Sequence, residues 1–242
     1  MSRFFVTPDQ IDGGTVKITG DDAKHIAKVL RMEKGDFLEL CDGESNEYIA
    51  RIELIEQGTV TLFIAGRLDA PSEPPYRVTL FQCLPKSDKM ELIIQKCVEL
   101  GVYEIAPIMS NRCVVKLDKK GAASKHRRYE RIAYEAAKQC KRGIVPRVLE
   151  VCELSKVDFS GFDAVIVPYE CETERTLKRC LKDIHDAKRI AVVIGSEGGF
   201  EKGEVEGIIS KGGISVTLGK RILRTETAGM AVLAMINYEM EG

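Results

Sequence analysis

Two glycine-broken loops hold the side chains of this chain best suited to chemistry. In the first, Ile194-Gly195-Ser196-Glu197-Gly198-Gly199, a carboxylate sits among glycines that let the backbone reach positive φ or approach a ligand closely. In the second, Leu218-Gly219-Lys220-Arg221-Ile222-Leu223-Arg224, two apolar residues stand between cations, with Glu226 just beyond. Apolar side chains in a loop with charges at its rim suit a pocket for a small molecule. Neither loop has the spacing of a P-loop or of a dinucleotide fingerprint. For the first loop taken alone, an ordinary strand-to-helix turn is the alternative.

The elements that position these loops follow from the apolar pattern. Ile190–Ile194 and Ile214–Leu218 are short apolar runs, as expected of strands covered on both faces. Each breaks at its carboxyl end into one of the loops, where open α/β sheets bind ligands if the strands are neighbours. Strands are also predicted at 78–84, 104–109, 113–115 and 164–167, the last ending in Pro168-Tyr169-Glu170. Helices alternate with them: Asp88 caps one with Glu91 as its capping-box partner, Ser124 a second and Thr225 the last. This alternation is the signature of a parallel α/β sheet, and pattern alone gives a plain doubly wound arrangement.

Residues 1–70 read differently. Strands at 16–18, 37–41, 48–52 and 60–64 surround one helix, Ala23 to Leu30, whose Ile26, Val29 and Leu30 make an apolar face. Several short strands suggest a small β-barrel. Residues 71–75 follow as a Pro-rich linker, within Ala70-Pro71-Ser72-Glu73-Pro74-Pro75, and 76–242 form the second domain.

The chain has 242 residues, 44% hydrophobic and 30% charged, with a net charge of −1, an ordinary globular balance. No apolar run reaches the roughly 20 residues needed to span a bilayer, and the N-terminus lacks a secretory apolar stretch, so a cytoplasmic protein without membrane contact is expected. Eight cysteines are scattered without a C-x-x-C pair, which argues for reduced thiols rather than disulfides or a metal centre. Charge is uneven. Residues 1–70 carry 8 basic and 13 acidic side chains, residues 110–150 carry 12 and 4. Such a basic segment suits a polyanion, or else a solvated helix face.

The two loops, I-G-S-E-G-G-F-x-x-x-E and L-G-K-R-I-L-R-T-E-T-A, resemble the S-adenosylmethionine-binding loops of the SPOUT methyltransferase superfamily, and more narrowly those of the RsmE family. Ser196 stands where that family commonly has proline. Lys96-x-x-Glu99-Leu100-Gly101-Val102, Arg112-x-Val114-Val115-Lys116 and Ala136-Ala137-Lys138-Gln139-Cys140-x-Arg142 extend the likeness, with Lys138 and Cys140 in place of the usual Glu and Ser. His25-x-x-x-Val29-Leu30-Arg31 and Gly35-Asp36 resemble the PUA-like RNA-binding domain at the front of these proteins.

The resemblance implies an α/β fold with a parallel-sheet SPOUT-type domain and a C-terminal trefoil knot, preceded by the small PUA-like β-barrel, in a homodimer. It implies methylation of N3 of a uridine in small-subunit ribosomal RNA, with S-adenosylmethionine as cofactor and no metal. Leu218, Gly219, Ile222 and Leu223 are expected to hold the adenine. Gly195, Glu197, Gly198 and Gly199 are expected to border ribose and amino-acid tail, and Pro168 and Thr227 to complete the site. Arg224 would stabilise charge developing on the uracil oxygens, with Glu226 orienting it or taking the N3 proton; a plain salt bridge is the alternative for this pair. Arg112, Gln139 and Arg142, with Arg3, Lys28 and Arg31 of the first domain, are the expected RNA contacts. The competing readings are a related enzyme acting elsewhere on RNA, such as a ribose hydroxyl, and a silent RNA-binding assembly factor.

Overall fold

The computed structural model describes residues 2–44, 46–68, 73–115 and 119–241, with 119 and 120 as backbone. Residues 71 and 72 of the expected linker therefore lie outside the described residues. Contacts divide the chain into two compact units, Met1–Glu73 with Ala137–Val145, and Pro74–Ala136 with Pro146–Gly242. The first takes in a segment that the sequence reading assigned to the second domain.

In the first unit β1 (Arg3–Phe5), β2 (Ile11–Asp12), β3 (Thr15–Ile18), β4 (Phe37–Cys41), β5 (Glu47–Glu56) and β6 (Thr59–Leu68) form one sheet in the order β1-β4-β5-β6-β3-β2. Only β1 runs parallel to its neighbour, β4; the remaining pairs are antiparallel. Alternate residues point inward, so Leu38, Leu40, Ala50, Ile52, Val60 and Leu62 bury with Phe4 and Ile26 in one apolar core. The helix is α1 (Gly20–Lys24), continued by a π-helical stretch from His25 to Val29. That wider turn rotates the following side chains off the α-helical face. Val29, expected in the core, is 67% exposed for this reason.

Burial also overturns two expected RNA contacts. Arg3 is 7% exposed and Arg142 4%. The Arg3 guanidinium donates to Glu47 at 2.6 Å and to the carbonyls of Lys141 and Arg142 at 2.7 and 3.0 Å. Arg142 meets Glu73 at 2.6 Å, and the same carboxylate accepts the Gly143 N–H. A buried cation must be paired, and both are held by carboxylates of their own unit, so their role is structural. Lys138, expected to face solvent or a partner, pairs with Asp22 at 2.7 Å across the Phe4 ring. Lys28, Arg31 and Gln139 are exposed.

The second unit is a parallel sheet with helices. Its strands are β7 (Arg77–Cys83), β8 (Glu104–Met109), β9 (Arg147–Val148), β10 (Cys152–Glu153), β11 (Ala164–Pro168), β12 (Arg189–Ile194) and β13 (Ile214–Val216), in the order β10-β8-β7-β12-β11-β13, with β9 beside β8. β7, β11 and β12 are almost wholly buried, which explains their unbroken apolar runs. Two expectations fail here. The strands carrying the two glycine loops, β12 and β13, are not neighbours, because β11 pairs with both. Residues 113–115 form no strand.

The helices are α2 (Lys89–Glu99), α3 (Lys119–Gln139), α4 (Leu177–Asp183), α5 (Lys202–Ser210) and α6 (Thr225–Met240). Their caps differ from the sequence reading. Asp88 precedes α2 but its side chain makes no cap bond, and the Glu91 carboxylate instead takes Arg128 at 2.8 Å. Helix α3 begins five residues before Ser124, leaving that residue inside it. Arg224, not Thr225, occupies the N-cap position of α6.

Candidate functional site: a cleft at the carboxyl edge of the parallel sheet

The placement of β11 between β12 and β13 brings three loops to one cleft. Tyr169–Glu170 follows Pro168 at the end of β11, Gly195–Phe200 follows β12 and Thr217–Arg224 follows β13, with Lys89 of α2 and Thr225 and Ala228 of α6 closing the wall. The cleft measures about 680 Å³, within the roughly 300–1,000 Å³ typical of small-molecule sites.

The β12 loop is a tight turn. The Gly199 N–H donates to the Ser196 carbonyl at 2.9 Å, and Gly199 has φ +66°, open to glycine. A Cβ there would also lie 2.5 Å from a Glu170 carboxylate oxygen. Outside ties hold the turn. Arg112 donates to the Gly198 carbonyl at 2.9 Å, and Ser196, which is buried, reaches the Arg112 carbonyl at 3.4 Å. Glu197 accepts the Lys86 N–H at 3.0 Å and the Lys89 ammonium at 3.1 Å. Burial pushes the Glu197 carboxyl up, but its own N–H, the Lys86 N–H and Lys89 together hold it below its ordinary range.

Thr225 joins this turn to α6. Its hydroxyl donates to the Gly195 carbonyl at 2.6 Å and accepts from Gln82 Nε2 at 2.9 Å. The residue expected to cap the helix instead fastens the first glycine loop to it. Lys89 adds a second link, since its ammonium lies 3.2 Å from Glu226 as well as near Glu197.

The expected site residues separate on this geometry. Pro168, Gly195, Glu197, Gly198, Gly199, Leu218, Gly219, Ile222, Leu223 and Arg224 all line the cleft. Thr227 does not; it is exposed on the first turn of α6, its N–H bonded to the Arg224 carbonyl. Glu226 also lies off the lining and faces Lys89 rather than forming the anticipated pair with Arg224. Its own backbone N–H, then Lys89 and the nearby Arg224 charge, keep its carboxyl below the ordinary range, so at neutral pH it is ionised and paired. Arg112 is exposed but already committed to Gly198.

Sequence reasoning missed Lys89, Glu170 and Gln82. Lys89 had a legible signal: an ammonium at a helix N-terminus opposes the macrodipole and needs anionic partners, which Glu197 and Glu226 supply. Gln82 had none, because its buried position on β7 is fixed only by long-range packing. Among the described residues no cluster of three His, Cys, Asp or Glu side chains could hold a metal, and no helix is long and apolar enough to cross a membrane.

Comparison with known proteins bears on this cleft. Residues 72–237 match the family described as an RNA methyltransferase domain, and residues 18–64 the RNA methyltransferase PUA domain. The ribosomal RNA small subunit methyltransferase E of Bacillus subtilis is 35% identical over 100% of this chain and 98% of its own length. That of Synechocystis is 33% identical over 99% of this chain and 78% of its own. The crystal structure of the Neisseria gonorrhoeae ribosomal RNA small subunit methyltransferase E, bound to S-adenosyl methionine, superposes with a TM-score of 0.85 at 32% identity, covering 98% of this chain and 97% of that one. A chain matched end to end by these proteins and over both of its parts by these families belongs to the ribosomal RNA small subunit methyltransferase E family of RNA methyltransferases.

Proposed function

We propose that this chain transfers a methyl group from S-adenosylmethionine to N3 of a uridine in small-subunit ribosomal RNA. The observation that carries the reading is the cleft, where a tied glycine turn and a cation-rimmed apolar loop face each other. Family membership supports the reaction class, and the cofactor held by the gonococcal relative supports the donor.

The residues present fit that donor. A Cβ at Gly195 would stand 3.2 Å from Gly199 backbone, so the turn offers a bare backbone wall. Glu170 and Glu197 place carboxylates at the same wall, suited to hydroxyls and to a cation. Leu218, Ile222 and Leu223 supply apolar faces for a planar base. When bound, S-adenosylmethionine presents an electrophilic methyl on a sulfonium.

N3 of uridine carries a proton, and its loss leaves charge on the flanking carbonyl oxygens. Arg224, exposed at the cleft rim with Arg221 and Lys220 beside it, would stabilise that charge. Glu226 is a weak base for that proton because its own backbone N–H, and then its ion pair with Lys89, hold its carboxyl below the ordinary range; its part is to position Lys89 and, through it, Glu197. Catalysis then rests on orientation and charge stabilisation.

The family reading further proposes a trefoil knot formed by the chain around β11 to α6, closure of the first unit into a PUA-like barrel, domains at 1–70 and 76–242, and a homodimer. The exposed apolar side chains of α6, Tyr238 at 87% and Met235 at 43%, are consistent with a face that meets a second copy. Lys28, Arg31, Gln139 and Arg112 remain the proposed RNA contacts, and the cytoplasm is the proposed compartment. Nucleoside mass spectrometry of small-subunit RNA from cells lacking the chain tests the function. Loss of 3-methyluridine, restored by the wild-type chain, is expected; loss of a ribose-methylated nucleoside would transfer the reading to the related enzyme class.

A further inference from the structure

Residues 169–188 carry five acidic and five basic side chains, a balance that hides how the fold sorts them. Most of the carboxylates are engaged. Glu172 accepts the Ser215 hydroxyl at 2.6 Å and the Glu174 and Arg175 N–H groups at 2.9 and 3.2 Å. Asp183 pairs with Arg175 at 3.2 Å, Asp186 lies 3.0 Å from a His185 nitrogen, and Glu170 lies against Gly199 in the cleft wall. Glu174 keeps a free carboxylate. The cations are left outside. The Thr176 hydroxyl caps α4 by accepting the Arg179 N–H at 3.3 Å, and Leu177, Cys180 and Leu181 turn inward and are buried. Helical spacing then leaves Lys178, Arg179 and Lys182 on the outer face, all exposed. Lys178 and Lys182 stand one turn apart, a like-charge pair that destabilises a helix until an anion answers it. Backbone bonds fix the start of α4 to the β13 loop: the Leu177 N–H donates to the Thr217 carbonyl at 3.1 Å, and the Thr217 N–H to the Arg175 carbonyl at 2.8 Å. Thr217 lines the cleft, as do Lys220 and Arg221 further along the same loop, both exposed. Among the described residues none of these five cations has an ion pair or a side-chain hydrogen bond. Exposed cations elsewhere in this unit do pair, as Lys156 does with Glu153, Lys202 with Glu206 and Arg147 with Glu104.

We propose that Lys178, Arg179 and Lys182 of α4, with Lys220 and Arg221 of the β13 loop, form a phosphate track that leads the backbone of the substrate RNA to the mouth of the cleft. A track of unpaired cations suits a polyanion better than a protein partner, because each phosphate neutralised releases counterions and no carboxylate has to be displaced first. Helix α4 adds about 10 Å of cationic surface to the loop, enough to hold more than one phosphate. Phosphate contacts fix register and approach without reading sequence. The track therefore governs how RNA is delivered, while the cleft governs what happens to the base. This inference rests on the reading of the cleft as the site of methyl transfer to RNA.

The test neutralises α4 in the full chain with Lys178→Gln, Arg179→Gln and Lys182→Gln together. Binding to a transcript of small-subunit ribosomal RNA is measured across a salt series, and methylation is measured on small subunits from cells lacking the chain. The slope of log affinity against log salt should flatten by roughly 0.7 to 0.9 for each cation removed, so by roughly 2 to 3 for the triple variant. KM for the subunit should rise roughly 10-fold or more, with kcat and calorimetric affinity for S-adenosylmethionine kept within twofold. If the triple variant does not fold, the three single variants, each expected to lose its own share of the slope, decide. The control is Arg127→Gln, Arg131→Gln and Lys188→Gln, which removes three exposed cations elsewhere in the same unit. An unchanged slope in the α4 variant, or an equal flattening in the control, would overturn the track. A wild-type chain that methylates the subunit while the α4 variant matches it sinks this inference alone; a wild-type chain that methylates no RNA sinks the functional reading itself.

Discussion

The two loops that face each other across the cleft are built on opposite plans. The Gly195–Phe200 turn is tied from outside by Arg112, Lys86, Lys89 and Thr225, each to a named backbone or carboxylate atom. The Leu218–Arg224 loop has little beyond the Thr217–Gly219 contacts, and its Ile222 side chain is 86% exposed. One wall is held by ties from outside before any ligand arrives; the other carries few such ties. In such a design the fixed wall sets geometry and the loosely tied wall contributes apolar contact on binding.

The sharpest way to break the contrast is a matched pair of substitutions at positive-φ glycines. Gly199→Val adds backbone strain and a collision with Glu170, whereas Gly219→Val, at φ +109°, adds strain with no neighbour within 4 Å. Strain of about 1–3 kcal/mol alone predicts a loss of roughly 5- to 150-fold, so Gly199→Val should exceed that range in donor affinity and Gly219→Val should stay within it. Equal effects by calorimetry would erase the distinction. Next in size, Arg224→Ala should lower turnover about 100-fold while leaving donor affinity within twofold, by analogy with removal of one charge-stabilising donor. An affinity loss matching the rate loss would make Arg224 a binding residue.

Ile222→Ala should weaken the donor several-fold yet shift thermal stability by less than about 0.5 kcal/mol, because its side chain is exposed in the free chain. The smallest effect is expected from Lys89→Met. Glu197 and Glu226 have folded-state pKa values held below their unfolded values, so their contribution is present at neutral pH and fades as pH falls through the folded values. Removing Lys89 should raise both midpoints and flatten the fall in stability between neutral and acid pH. Unchanged carboxyl shifts by NMR titration would show that backbone donors alone hold the two carboxylates.

How much of this was legible beforehand divides along physical lines. Buried parallel strands announce themselves as apolar runs, so 104–109 and 190–194 stand within a residue of their predicted limits. Glycine pairs marked the turn for the same local reason. Long-range pairing left no such trace: nothing near Arg142 in the chain says that Glu73 will bury it, so this one cation of the basic segment is structural. Thr225 had the composition of a cap, yet Gln82 and Gly195, brought close by the sheet, claimed its hydroxyl. The strand order that seats β11 between β12 and β13 is likewise a property of the whole sheet, invisible in either strand alone.

Titrating S-adenosylmethionine into the folded, reduced chain by calorimetry is the most direct test of the paired-wall account. One donor per chain is expected, with binding lost in Gly199→Val and retained in Arg224→Ala. Absence of binding at millimolar donor, in protein shown to be folded, would contradict it.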